Sequence, residues 1–139
     1  MTSRYAWSPS PASKNPLFTI LVADGDLAFD GVLDAFIRNK GHFVLRARSA
    51  AEAVAKTREF QPHVILLNCE LEGATCLELL PELMRADVGA ALVLMARRPR
   101  ISEAVEAMRL GAADYLEMPL DPEKLRRAIA HQMTVVSLG

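Results

Sequence analysis

Three short apolar runs in this chain end on residues placed where an α/β protein holds a charged ligand. Residues 18–23 lead into Asp24-Gly25, residues 63–67 into Asn68, and residues 114–117 into Met118-Pro119. A fourth run, 91–95, closes on Met95 and passes into Ala96-Arg97. Charged chemistry at such a set of loop mouths needs charged side chains. Of Asp24, Gly25, Asn68, Met95, Met118 and Pro119, Asp24 alone carries a charge. The places suit a charged ligand, and most of the charge is missing.

Other chemistries find less support. No GxGxxG or GxxxxGK[ST] follows the first run, so dinucleotide and P-loop readings lack the residues they require. No nucleophile has an adjacent base, and the chain reads as a non-enzyme. Cys69 and Cys76 are seven positions apart, with no CxxC and no neighbouring histidine. That spacing does not point to a zinc site, and the two read as small buried thiols, with Cys69 partly exposed at a loop mouth. His63, before a strand, and His42, after a helix stop, read as edge residues. No cofactor is expected.

The elements that must position these residues follow from composition and period. The 139 residues, 51% hydrophobic with a formal net charge of −1, make one globular domain with one core. The 16 Lys and Arg are dispersed, which argues against direct nucleic-acid binding. No apolar run approaches the roughly 20 residues of a membrane span, and the N-terminus lacks a secretory apolar stretch. The expectation is a cytoplasmic protein. Residues 1–16, rich in Ser and Pro, read as a disordered leader onto which Tyr5 and Trp7 could fold back, and 17–138 as the folded domain.

From Leu17 onward, apolar runs alternate with helical periodicity, the pattern of five βα units and a parallel sheet covered on both faces. Phe29, Val32, Leu33, Phe36 and Ile37 mark the first helix, stopped by Gly41, and Asp26 reads as its cap. Ser49 with Glu52 reads as a capping box opening a helix over 50–59. A third helix spans about 74–86, with Leu77, Leu80, Leu83 and Met84 inward and Pro81 expected to kink or restart it. The fourth covers 102–110, anchored by Val105 and Met108 and ended by Gly111. Asp121-Pro122-Glu123 opens the fifth, lined by Leu125, Ile129 and Met133.

The phrases 20–26, 63–68 and 104–119, with Asp24-Gly25, Asn68, Met95-Ala96, Tyr115 and Met118-Pro119 at their spacing, resemble the receiver domain of bacterial two-component response regulators. The resemblance covers about Leu17 to Met133. It implies a flavodoxin-like, doubly wound, five-stranded parallel sheet in order 2-1-3-4-5 with five helices. In that family a histidine kinase transfers a phosphoryl group to an aspartate ending the third strand. That aspartate and an acidic pair after the first strand hold Mg²⁺, while a Thr or Ser and a Lys contact the phosphoryl oxygens. Carried onto this chain, the first acid is kept as Asp24. The second acid is Gly25, the acceptor Asn68, the hydroxyl position Met95 and the lysine Met118. The position of Glu70 matches one whose backbone carbonyl assists the metal, so its side chain reads as an ordinary loop acid.

These departures are chemically consistent. Asn68 has no anionic oxygen to attack phosphorus, Gly25 removes a hard ligand, Met95 donates no hydrogen bond and Met118 brings no cation. The expectation is a pseudo-receiver, neither phosphorylated nor dependent on Mg²⁺, that serves as a protein-interaction module in a transcription or signalling regulator. The resemblance places dimerisation or output-domain docking on helix 4, strand 5 and helix 5, and makes Tyr115 the aromatic that changes rotamer on activation. Arg98, Arg100, Glu103, Glu106, Asp114, Lys124 and Arg127 offer charges of both signs there for a homodimer or another protein partner; a solvated surface accounts for the same residues. An output domain beyond Gly139 is part of that expectation. Two alternatives stand beside it: a small ligand sensed in a pocket made apolar by Met95 and Met118, or a conventional receiver whose acceptor aspartate was changed to Asn68.

Overall fold

The computed structural model describes residues 18–25, 35–87 and 89–138, with side chains described up to Gln132 apart from Phe36. The leader 1–16 with Tyr5 and Trp7, and Asp26, Phe29, Val32, Leu33, Phe36 and Met133, or their side chains, lie outside the described residues. Five strands alternate with five helices: β1 Thr19–Ala23, α1 Ala35–Asn39, β2 Phe43–Ala47, α2 Ala50–Phe60, β3 Val64–Asn68, α3 Cys76–Ala86, β4 Ala91–Ala96, α4 Ile101–Arg109, β5 Asp114–Glu117 and α5 Pro122–Leu138. All strand pairings are parallel, in the order β2-β1-β3-β4-β5. The sheet reverses its winding between β1 and β3, and so brings the ends of those strands side by side.

The strand period of two assigns every side chain to one face. Leu21 and Ala23, Ile65 and Leu67, Leu92 and Leu94 pack with Leu79, Leu80, Leu83 and Ala107 under α2, α3 and α4. Ile20 and Val22, Val64 and Leu66, Val93 and Met95 pack with Ile37, Leu125 and Ile129 under α1 and α5. Because both faces are covered, β1 and β3 are buried throughout, which is why they read as unbroken apolar runs.

Several local expectations are corrected. Ser49 caps α2 by accepting from the Glu52 N–H, but the Glu52 carboxylate accepts from the Arg48 N–H at 2.6 Å rather than closing the box on Ser49. Gln61, at φ 49°, then ends α2 in the left-handed region, a position no glycine announced. The complete capping box belongs to α3, where Thr75 and Glu78 exchange both bonds. That helix runs on through Pro81 without a restart, and Leu79 joins Leu80 and Leu83 as its buried residues.

In α4, Ala107 is the buried residue, while Val105 and Met108 are 54% and 48% exposed. They were expected to face inward. Their spacing is helical, but the residue that α4 turns into the core is the small Ala107, so the large apolar residues do not report its inner face. His63 is no edge residue either. It is buried, its Nδ1 accepts from the Thr19 N–H at 3.0 Å, and its ring stands edge-on to Phe18 with centroids 4.8 Å apart. His42 also stands edge-on to Phe18, 6.4 Å between centroids, and burial lowers its pKa.

Candidate functional site

The rule of alternation that builds the two cores also builds the site. Asp24 continues the row Ile20, Val22; Asn68 continues Val64, Leu66; Met95 follows Val93; and Met118 follows Leu116, so all four lie on the α1 and α5 face. Register places Ala23 opposite Leu67 and Asn68 opposite Met95, which brings Asp24 and Asn68 together at the carboxyl ends of adjacent strands. Asp24 is fully buried and Asn68 is 4% exposed. The Asn68 Nδ2 donates to Asp24 Oδ1 at 3.0 Å, and its Oδ1 accepts from the Glu70 N–H at 2.8 Å. The backbone is pinned on either side: the Asp24 N–H donates to Ala47 O at 2.9 Å and the Cys69 N–H to Met95 O at 2.8 Å. Both functional atoms of the amide are thus engaged within a rigid frame.

A cleft of about 490 Å³ opens above this pair, lined by Asp24, Gly25, Asn68, Arg48, Glu72, Glu70 and Arg97. Glu70 faces Arg97 at 3.7 Å, so charges of both signs meet at the rim. Met95 and Met118 do not line it. They are 0% and 6% exposed and complete the apolar core with Val93, Leu125 and Ile129. The expected apolar pocket wall is therefore absent, because the side chains that replaced polar groups were drawn into the core beneath the site. Pro119 is exposed after a cis peptide bond from Met118, whose own N–H donates to Ala96 O at 2.8 Å. A Cβ on Gly25 would come within 3.3 Å of the Arg48 carbonyl oxygen, so backbone approaches closely where a second acid was looked for.

These residues do not fit Mg²⁺. The ion takes oxygen donors in near-octahedral array. Here Asp24 is the one buried carboxylate among the described residues that line the cleft, Glu70 and Glu72 are exposed with Glu70 facing Arg97, Gly25 offers no side-chain oxygen, and Asn68 turns an N–H toward Asp24. An amide in that position can fix the loop but brings no anionic nucleophile.

On the α4 side, Tyr115 is held rather than free. Its hydroxyl donates to Glu103 Oε1 at 2.6 Å and accepts from the Arg100 N–H at 3.3 Å. Burial, then the Glu103 hydrogen bond, push the phenol up to about 12. Arg100 also reaches Glu103 at 3.4 Å, Glu106 pairs with Arg109 at 3.2 Å, and Arg127 with Glu123 at 3.7 Å. Asp114 accepts from the Tyr115 N–H at 2.8 Å, while Arg98 and Lys124 are exposed. Many of the charges expected to pair across an interface are thus already answered within their own helices. What sequence periodicity missed on this face is apolar: Ile101, Val105 and Met108 are all exposed, at i, i+4 and i+7. Sequence also missed that Cys69 and Cys76, on the opposite face of the sheet from Asp24, lie beside Glu103 of α4. Linear spacing carries no trace of a third group that arrives from a separate helix. The Cys69 thiol is pushed far above the ordinary range, first by its contact with Cys76 and then by burial.

The sequence profile of the response regulator receiver domain matches residues 20–130. Among curated relatives, the transcriptional regulatory protein ZraR of Klebsiella oxytoca is 32% identical over 116 residues, 81% of this chain and 26% of that protein. The DNA-binding response regulator MtrA of Mycobacterium leprae is 27% identical over 106 residues, 76% of this chain and 47% of its own length. The chain thus spans about a quarter of the first of these relatives and about half of the second. Among solved structures, NtrX from Brucella abortus superposes with a TM-score of 0.78 at 25% identity, over 88% of this chain and 27% of that one. A CheY-like receiver domain from Methanospirillum hungatei JF-1 superposes at 0.82 with 22% identity, over 87% and 97% of the two chains. Taken with the 2-1-3-4-5 sheet and the Asp24-Asn68 pair at its switch point, these matches identify the chain as a member of the response regulator receiver domain family.

Proposed function

We propose that this receiver works without aspartyl phosphorylation, as a protein-interaction module that sets the state of a transcription regulator through α4, β5 and α5. The observation that carries the reading is the buried amide of Asn68, hydrogen-bonded to Asp24 where the family places its acceptor carboxylate. The pairing supplies to the loop what Mg²⁺ bridging supplies elsewhere in the family, a link between the ends of β1 and β3, and it needs no signal. Ile101, Val105 and Met108 support α4 as the contact, since three exposed apolar side chains in one stripe are suited to burial against a partner. Relatives support the partners rather than the independence from phosphorylation: ZraR is a transcriptional regulator with more chain than a receiver, and the NtrC4 receiver, similar in structure, is a dimer when activated by beryllofluoride. An output domain and a second copy of the chain are the partners proposed. Small-ligand sensing loses its apolar pocket, because Met95 and Met118 are core residues.

The test is sedimentation of the domain with and without Mg²⁺ and beryllofluoride, with the thermal midpoint followed in parallel. Unchanged mass and midpoint are expected. A shift in either, at ligand concentrations that saturate ordinary receivers, would show that the cleft still binds a phosphoryl mimic and would overturn the reading.

A further inference from the structure

Three side chains that the receiver chemistry does not use converge beneath α4. Cys69 stands one residue past β3, Cys76 opens α3, and Glu103 lies in the first turn of α4. The two sulfurs and a carboxylate oxygen all lie within 4.8 Å of one another. Neither thiol is in a disulfide. Cys76 is 2% exposed and the Glu103 side chain 13% exposed. A cavity of about 290 Å³ opens against Cys69 and Glu103 and is otherwise lined in part by Arg97, Arg98 and Arg100.

We propose that Cys69, Cys76 and Glu103 form a binding site for a thiophilic divalent cation of the zinc class, its fourth coordination position facing the cavity. Donor chemistry selects the ion: two sulfurs and one oxygen are the wrong set for Mg²⁺ or Ca²⁺, which take oxygen ligands in larger number, whereas thiolate sulfur and carboxylate oxygen are each ligands that Zn²⁺ takes. Geometry permits it. Tetrahedral zinc with bonds of about 2.0–2.3 Å holds its donors roughly 3.3–3.8 Å apart, so the three groups need close by only about an ångström. Electrostatics permit it as well. Two thiolates and a carboxylate around a dication leave one net negative charge, and the three arginines of the cavity lie where that charge would be felt.

The site has a structural consequence. Glu103 Oε1 is the acceptor of the Tyr115 hydroxyl, so a cation that engages the Glu103 carboxylate competes for the group that holds Tyr115. Occupancy is thereby linked to α4 and β5, the face argued above to meet a partner. Cys69 and Tyr115 belong to the same side of the sheet, away from Asp24 and Asn68, and the proposal is independent of whether the domain is phosphorylated.

The experiment is a titration of the reduced 139-residue chain with Zn²⁺ in competition with a chromophoric chelator, alongside the absorption spectrum of the Co²⁺ form. The expected result is one equivalent bound, with sulfur-to-cobalt charge transfer in the near ultraviolet. Cys69→Ser and Cys76→Ser should each weaken binding about 100-fold, and Glu103→Gln about 10-fold. Glu103→Gln keeps the size and shape of the side chain and so keeps the fold testable if a cysteine variant is unstable, and the Co²⁺ spectrum of the unmodified chain needs no variant at all. Zinc binding no tighter than in the Cys69→Ser/Cys76→Ser double variant, or a cobalt spectrum without sulfur charge transfer, would overturn the proposal. An affinity untouched by Glu103→Gln would overturn it for Glu103 and with it the link to Tyr115.

Discussion

At Asn68 the difference between an amide and a carboxylate decides the electrostatics of the whole strand end. Nδ2 sits 3.0 Å from Asp24 Oδ1; an oxygen anion in its place would meet a like charge at a cost on the order of 5 kcal/mol for an effective dielectric near 20. Asn68→Asp is therefore expected to lower the thermal midpoint at neutral pH. The second ionisation of such a coupled pair is raised in the folded state, so the deficit should be small near pH 4, about where unfolded Asp titrates, and grow as pH rises. Midpoints measured from pH 4 to 8 check this. The same variant is expected to take up no phosphoryl group from acetyl phosphate, because Gly25, Met95 and Met118 still lack the other groups; mass spectrometry after incubation reads the outcome. Tyr115 gives a second test. Its folded pKa, about 12, lies above the ordinary value of 10, so stability from this group is fully present below pH 10 and is lost as pH climbs toward 12. Ultraviolet titration of the phenolate in a Tyr5→Phe background should show the high midpoint, and Glu103→Gln, which removes an anion and its hydrogen bond, should bring it down.

Elements are held in place by a few contacts that period alone does not reveal. Gly111 follows α4 at φ 112°, and a Cβ there would meet Met84 Cε at 2.6 Å and Sδ at 2.9 Å. Gly111→Ala combines an unfavourable backbone with overpacking between α3 and α4, and a loss of about 1–3 kcal/mol is expected by urea denaturation. Thr75→Ala opens the α3 capping box and should cost about 1 kcal/mol. The helices were legible from spacing, but which of their faces turned inward was legible only where large residues do the packing. In α3 a Leu row reports the buried side well. In α4 the buried contact is Ala107, a small residue, so the large apolar residues Ile101, Val105 and Met108 mark the outer side instead.

For the whole molecule, that outer stripe is where the proposed contact with a second copy is tested. Val105→Asp, at a position 54% exposed, should leave the monomer's unfolding midpoint nearly unchanged while weakening self-association across a sedimentation concentration series; unaltered association would remove α4 from the interface. The five βα units and the placement of Asp24, Asn68, Met95 and Met118 at strand ends were legible in the sequence, because an apolar run of fixed period and a turn after it are local properties; the strand order, which is not local, came only with the family resemblance and is seen in the sheet itself. So was the chemistry missing from the site, since an amide or a thioether lacks a charge wherever it stands. Tertiary structure alone decided three other matters. It turned Met95 and Met118 down into the core, because rows of the same parity in neighbouring strands share one packed face. It buried His63 against Phe18 and Thr19. It also gathered Cys69, Cys76 and Glu103, which no spacing rule relates, because β3, α3 and α4 meet only once the crossovers have wound the sheet.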